Sequence, residues 1–120
     1  EELARAGAEI ARRSVEAFEE RDGRQRWVLG SIGPGTKLPS LGHTTYAHLK
    51  STFADQARGL ILGGADALLI ETSQDLLQAK SAVNGCKLAI VQTGIRIPII
   101  VQVTVETTGT NEYLGLRTFT

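Results

Sequence analysis

The segment that most constrains this chain is Ala65-Asp66-Ala67-Leu68-Leu69-Ile70, a nearly unbroken apolar run of strand length that ends at a carboxylate, Glu71. A run this short and this apolar reads as a strand covered on both faces, the pattern of a parallel sheet. Parallel neighbours need long crossovers, and the flanking sequence supplies them as helical patterns. The α/β class follows from this alternation.

Upstream, Leu3, Ala6, Gly7, Ile10, Ser14, Val15 and Phe18 recur at three- and four-residue steps between charges, which predicts an amphipathic helix from Glu2 to about Asp22 that Gly23 ends. Arg26-Trp27-Val28-Leu29-Gly30 reads as a first short strand, and Ser31 onward as a Gly- and Pro-rich loop reaching Gly42. Thr44 or Thr45 can cap a second helix to about Leu62, with Tyr46, Leu49, Phe53, Ala57 and Leu60 inward. A third helix is expected from Gln74 to about Gln92, with Leu76, Leu77, Ala79, Val83 and Leu88 inward. Gly94 stops it and Pro98–Val103 makes a third strand. Three strands leave unpaired edges that natural sheets cover or close. The expected architecture is therefore a partial (β/α)8 barrel: a whole one needs about 250 residues, and this chain supplies roughly three βα units.

Composition narrows the function classes. The 13 basic and 13 acidic side chains cancel, so the clustered positive charge that binds nucleic-acid phosphates is not in the balance. No apolar run approaches the roughly 20 residues of a membrane span, and the amino end is not ordered like a secretory signal. A cytoplasmic protein with neither nucleic-acid nor membrane partners is the expectation. The single cysteine, Cys86, can form no internal disulfide and cannot alone supply a zinc site.

In parallel α/β architectures ligands gather at the carboxyl ends of the strands. After the first strand, Gly30-Ser31-Ile32-Gly33-Pro34-Gly35-Thr36-Lys37 lets backbone approach a ligand and offers Ser31, Thr36 and Lys37 to an anion, although it lacks the order of a Walker loop. A tight turn is the plainer alternative. After the second strand, Glu71 would sit at the rim of an apolar core, where a carboxylate is costly unless something positive meets it. A ligand ammonium would serve, as would an Arg or Lys on a neighbouring strand, or an N-cap contact near Ser73-Gln74. After the third strand, Thr104-Val105-Glu106-Thr107-Thr108-Gly109-Thr110 is polar, with Thr104 and Glu106 as candidates and a solvated loop as the alternative. His43 and His48 have no carboxylate or cysteine at ligand spacing, Cys86 reads as a small buried hydrophobe, and Arg12-Arg13 reads as a solvated helix face.

Taken together, Gly30-Ser31-Ile32-Gly33-Pro34, Gly63 to Thr72, Asp75 to Lys80 and Val103 to Thr110 resemble the homocysteine-binding domain of the cobalamin-dependent methionine synthase branch of the homocysteine S-methyltransferase family. The resemblance covers the chain from its first helix to about Gly109. It implies a (β/α)8 barrel in which Glu71 holds the amino group of homocysteine, while Ser31, Gly33, Thr104 and Glu106 line the same mouth. It also implies methyl transfer from methylcobalamin to a zinc-bound homocysteine thiolate, with further modules binding methyltetrahydrofolate, cobalamin and S-adenosylmethionine. Against the family pattern, the first barrel strand with its acidic residue and the three zinc cysteines are not in this sequence, and Asn111-Glu112-Tyr113 replace an apolar continuation. The expectation is a domain of residues 1–120 truncated at both ends, binding no zinc or cobalamin and inactive alone. The alternative from another class is a non-catalytic α/β module that binds a small anion through its Gly-rich loop.

Overall fold

The computed structural model describes residues 1–104. Helix α1 spans Glu2–Asp22 and closes on Gly23, whose N–H donates to the Glu19 carbonyl. Strand β1 is Leu29–Ile32, a single 3₁₀ turn occupies Pro39–Leu41, and α2 is Tyr46–Leu62, capped by the Thr45 hydroxyl on the His48 N–H. Strand β2 is Ala67–Ser73, α3 is Leu76–Thr93 and β3 is Ile99–Val103. The strands are parallel and lie in chain order, with Ser31 beside Leu69 and Ile70 beside Val101. This is the α/β class, two strand–helix units and a third strand arranged as consecutive units of a β/α barrel are.

Apolar packing builds the core on one side of the sheet. Ile32, Leu68 and Ile70 are fully buried and meet Leu49, Phe53, Ala57 and Leu60 of α2 and Ala82, Cys86 and Ala89 of α3. Burying an aliphatic side chain of this size contributes about 1.5–3 kcal/mol. The other side of the sheet is open: Leu29 and Ser31 are exposed while Gly30 and Ile32, which alternate with them, are buried. A closed barrel turns that open side inward.

The strands depart from the sequence reading at both ends of the sheet. β1 starts at Leu29 and takes in Ser31 and Ile32, leaving Arg26 and Trp27 outside. The reason is Asp66, whose carboxylate accepts the Val28 N–H at 2.7 Å and whose own N–H donates to the Val28 carbonyl, so Val28 is tied to the connection before β2. β2 runs on through Glu71 to Ser73 and does not stop at Ile70, because Ser73 still pairs with Val103 after an irregularity between Ile70 and Ser73.

The inward faces of α1 and α3 also differ from the expected stripes. On α1 the inner side is Ala4, Ala8, Ala11 and Val15, whereas Leu3, Ile10 and Phe18 are exposed. α1 approaches the end of α2 so closely that a Cβ at Gly63 would lie 2.5 Å from the Arg5 carbonyl oxygen, and only small side chains fit such a seam. On α3 the buried side is Gln78, Ala79, Ser81, Ala82, Gly85, Cys86 and Ala89. Leu77 is exposed and Leu76, Val83 and Leu88 are half-buried, since a Cβ at Gly85 would already lie 2.8 Å from the Lys50 carbonyl oxygen of α2. Arg12 is not a solvated side chain: it donates to the Gly64 carbonyl and to the Asp66 carboxylate, joining α1 to the amino end of the sheet.

Candidate functional site

At the carboxyl end of the sheet, alternation from Leu69 places Glu71 on the open side with Ser31. The Ser31 hydroxyl donates to Glu71 Oε1 at 2.5 Å, and the Gln56 side-chain amide donates to the Ser31 carbonyl at 3.4 Å. Glu71 is half-buried, and among the described residues no Lys or Arg reaches it as an ion-pair partner. The N-cap of α3 is Asp75, so Glu71 does not serve there either. Neither the ion pair nor the N-cap contact expected for Glu71 is formed among the described residues; its partner there is the Ser31 hydroxyl, which the sequence reading did not name.

Immediately beyond Glu71 the backbone is strained. Thr72 has φ 58, the left-handed region that a β-branched residue rarely enters. The chain then regains its pairing at Ser73, whose carbonyl accepts the Thr104 N–H at 2.9 Å. Thr104 is thereby tied to the same end of the sheet as Glu71. Gly33 is exposed and opens the loop after β1, with nothing near where a Cβ would stand. Ser31 and Glu71 are in contact, and Gly33 and Thr104 lie at the same strand ends. Glu106 lies outside the described residues, as do Asn111, Glu112 and Tyr113.

Two residues here escaped the sequence reading. Asp75 is only 5% exposed; its Oδ1 accepts the N–H groups of Leu77 and Gln78 and the Ser40 hydroxyl, and its Oδ2 accepts the Ser40 N–H. An Asp just before a helical pattern is a capping signal, so its place on α3 was legible. Its grip on Ser40, 35 positions earlier, was not. Gln78 is 1% exposed and reaches the same loop, and no local pattern announces that contact.

Other titratable groups stand apart. Burial pushes the Cys86 thiol up to about 12, which keeps it protonated and unreactive at neutral pH. His43 Nδ1 accepts the Leu38 N–H at 3.3 Å, a loop contact, and His48 is exposed. Thr36 and Lys37 are exposed on the loop. A cavity of about 240 Å³ lined by Leu38, Ser40, Leu41, Gln74 and Asp75 lies at this end. A larger one of about 700 Å³, lined by residues including Trp27, Leu29, Asp66 and Pro98, opens at the amino ends of the strands. Its carboxylate, Asp66, is already satisfied by Arg12 and Val28, so size does not mark the site.

The chain matches the family model described as homocysteine S-methyltransferase over residues 1–117. This chain belongs to the homocysteine S-methyltransferase family. It is 52% identical over 109 residues to a protein named methionine synthase from Mycobacterium tuberculosis, an overlap that takes in 91% of this chain and 9% of that relative. The match to a methionine synthase from Mycobacterium leprae has the same identity and the same coverage. The chain thus spans about 9% of the length of the curated relatives it matches. Among the described residues no helix is long and apolar enough to cross a membrane.

Proposed function

We propose that this chain forms part of the homocysteine-binding wall of a cytoplasmic methyltransferase that makes methionine. The observation that carries this reading is the placement of Glu71: a carboxylate on the open side at the carboxyl end of β2, hydrogen-bonded to Ser31 and engaged by no cation among the described residues. An amino acid's ammonium group there gains charge-assisted hydrogen bonds in a partly desolvated setting. Ser31 occupies one oxygen of Glu71 and fixes the carboxylate's direction, so the other oxygen is presented to the ligand. Gly33, Thr104 and Glu106 are assigned to the same mouth, on the family resemblance and on the strand-end positions of the first two.

The resemblance implies zinc as the activator of the homocysteine sulfur and methylcobalamin as the methyl donor, with folate, cobalamin and S-adenosylmethionine modules as partners in the complete enzyme. The described residues do not fit a zinc site: no group of three His, Cys, Asp or Glu side chains comes together among them, and Cys86 is buried inside the helical layer. No metal step is therefore assigned to these residues, whose part is to bind and orient the amino acid.

Glu71→Ala in the full-length protein tests the reading. Homocysteine affinity measured by titration calorimetry is expected to fall about thirtyfold to a hundredfold, the usual cost of deleting one partner of a desolvated charge pair. Zinc content measured on the same preparation is expected to stay constant. An unchanged affinity, or a parallel loss of zinc, would remove Glu71 from the substrate site.

A further inference from the structure

The loop after β1 is not self-supporting. Between Gly33 and Gly42 its own backbone hydrogen bonds are the short-range ones around the 3₁₀ turn, such as Leu41 N–H to the Leu38 carbonyl and Gly42 N–H to the Pro39 carbonyl. Beside these and the Leu38 N–H to His43 Nδ1 contact, the loop is hung on the first turn of α3. Gln78 Nε2 donates to the Pro34 carbonyl at 2.5 Å and to the Lys37 carbonyl at 2.9 Å, closing Pro34–Lys37 into a turn with Gly35 at φ 68 between them. Asp75, at the N-cap, holds both the N–H and the hydroxyl of Ser40.

Gln78 is a poor choice if filling space were its task. Its Oε1 is buried and meets no donor among the described residues, and a half-satisfied buried amide costs stability relative to an apolar side chain of the same length. The carbonyls it binds belong to half-buried Pro34 and exposed Lys37, which water could serve instead. The amide therefore contributes position more than stability. What it positions lies beside the site, because Pro34 follows Gly33 at the tip of β1, and α3 begins in the same connection that leaves Glu71.

We propose that Gln78, supported by Asp75, is a positioning residue for the binding mouth: it locks the Pro34–Lys37 turn against the first turn of α3, so that an amino acid held by Glu71 meets a preformed wall. This rests on the reading of Glu71 as the homocysteine contact. A preformed wall lowers the ordering cost of binding and leaves the chemical step alone, so its loss is read in KM and not in kcat.

The experiment uses the full-length protein with Gln78→Met, which keeps the length without the donors, and Gln78→Glu, which places a carboxylate against two carbonyls, beside Glu71→Ala. Gln78→Met is expected to raise KM for homocysteine about tenfold with kcat held within about twofold and the melting temperature unchanged or raised. Gln78→Glu is expected to raise KM further, since it replaces attraction by repulsion, and an unfolded Gln78→Glu protein leaves the decision to Gln78→Met. An unchanged KM in Gln78→Met while Glu71→Ala still weakens binding overturns the positioning role and leaves the function standing. A Gln78→Met protein that loses melting temperature, kcat and KM together overturns it as well, by showing a structural role. If Glu71→Ala has no effect, both readings fall.

Discussion

Two carboxylates at opposite ends of the sheet, Asp66 and Glu71, are met in opposite ways. At the amino end Asp66 is closed on itself: its carboxylate takes the Val28 N–H and the Arg12 guanidinium, which also donates to the Gly64 carbonyl. At the carboxyl end, among the described residues, Glu71 has a single hydroxyl donor and Gln78 carries a buried oxygen without a donor, and Thr72 between them is strained. The contrast teaches where stability and recognition reside. Groups satisfied inside the chain hold the layers together, and the under-satisfied groups lie at the end where the strand-end rule for β/α architectures expects ligands and where the proposed homocysteine contact is placed.

The largest effect is expected from Asp66→Ala, which orphans the Val28 N–H and takes the carboxylate from a partly buried Arg12, leaving it only the Gly64 carbonyl. Unfolding stability by urea titration is expected to fall by roughly 2–3 kcal/mol, with homocysteine affinity of the surviving folded protein unchanged. A loss of affinity without loss of stability would break the division between the ends. Thr72→Gly comes next. Relief of the left-handed strain outweighs the greater chain entropy of Gly, so stability is expected to rise by roughly 0.5–1 kcal/mol, while homocysteine binding weakens as Glu71 gains freedom. A less stable Thr72→Gly protein would show that the Thr side chain itself supports the bend.

Ser31→Ala removes the hydroxyl that directs Glu71. Homocysteine affinity is expected to drop about threefold to fivefold with no change in the urea midpoint, the net worth of one hydrogen bond to a charged group at an open site. The smallest effect belongs to exposed Asp22, the last residue of α1. The Arg26 guanidinium and the Arg24 N–H hold Asp22 down to about 2, below the usual carboxylate range. A depressed native value means that this pair stabilises the fold above the unfolded-state value and that the contribution disappears as pH falls through about 2. Asp22→Asn should therefore narrow the difference in stability between neutral and strongly acidic solution, and leave binding at neutral pH untouched.

Reading the chain from its residues alone reached the right elements, because helical and strand periodicities are local. It missed which of two stripes on a helix turns inward. α1 carries both a large stripe, Leu3, Ile10 and Phe18, and a small one, Ala4, Ala8 and Ala11, and hydrophobicity favours the first. The structure buries the second because Gly63 brings the Arg5 backbone too near α2 for anything larger. Likewise β1 slid from Arg26–Gly30 to Leu29–Ile32, since strand ends depend on a partner's register and on Asp66 of another segment.

The candidate site divides along the same line. That Glu71 ends an apolar run and that Gly33 opens a loop are properties of consecutive residues, and family membership is written in such short segments. That Glu71 meets Ser31 and no cation among the described residues, and that Gln78 and Asp75 grip a loop from across the layer, depends on segments 35 to 44 positions apart. Alternation and propensity act over a few residues. Contacts across such distances are set by how closely helices and strands can approach, which only the packed core specifies.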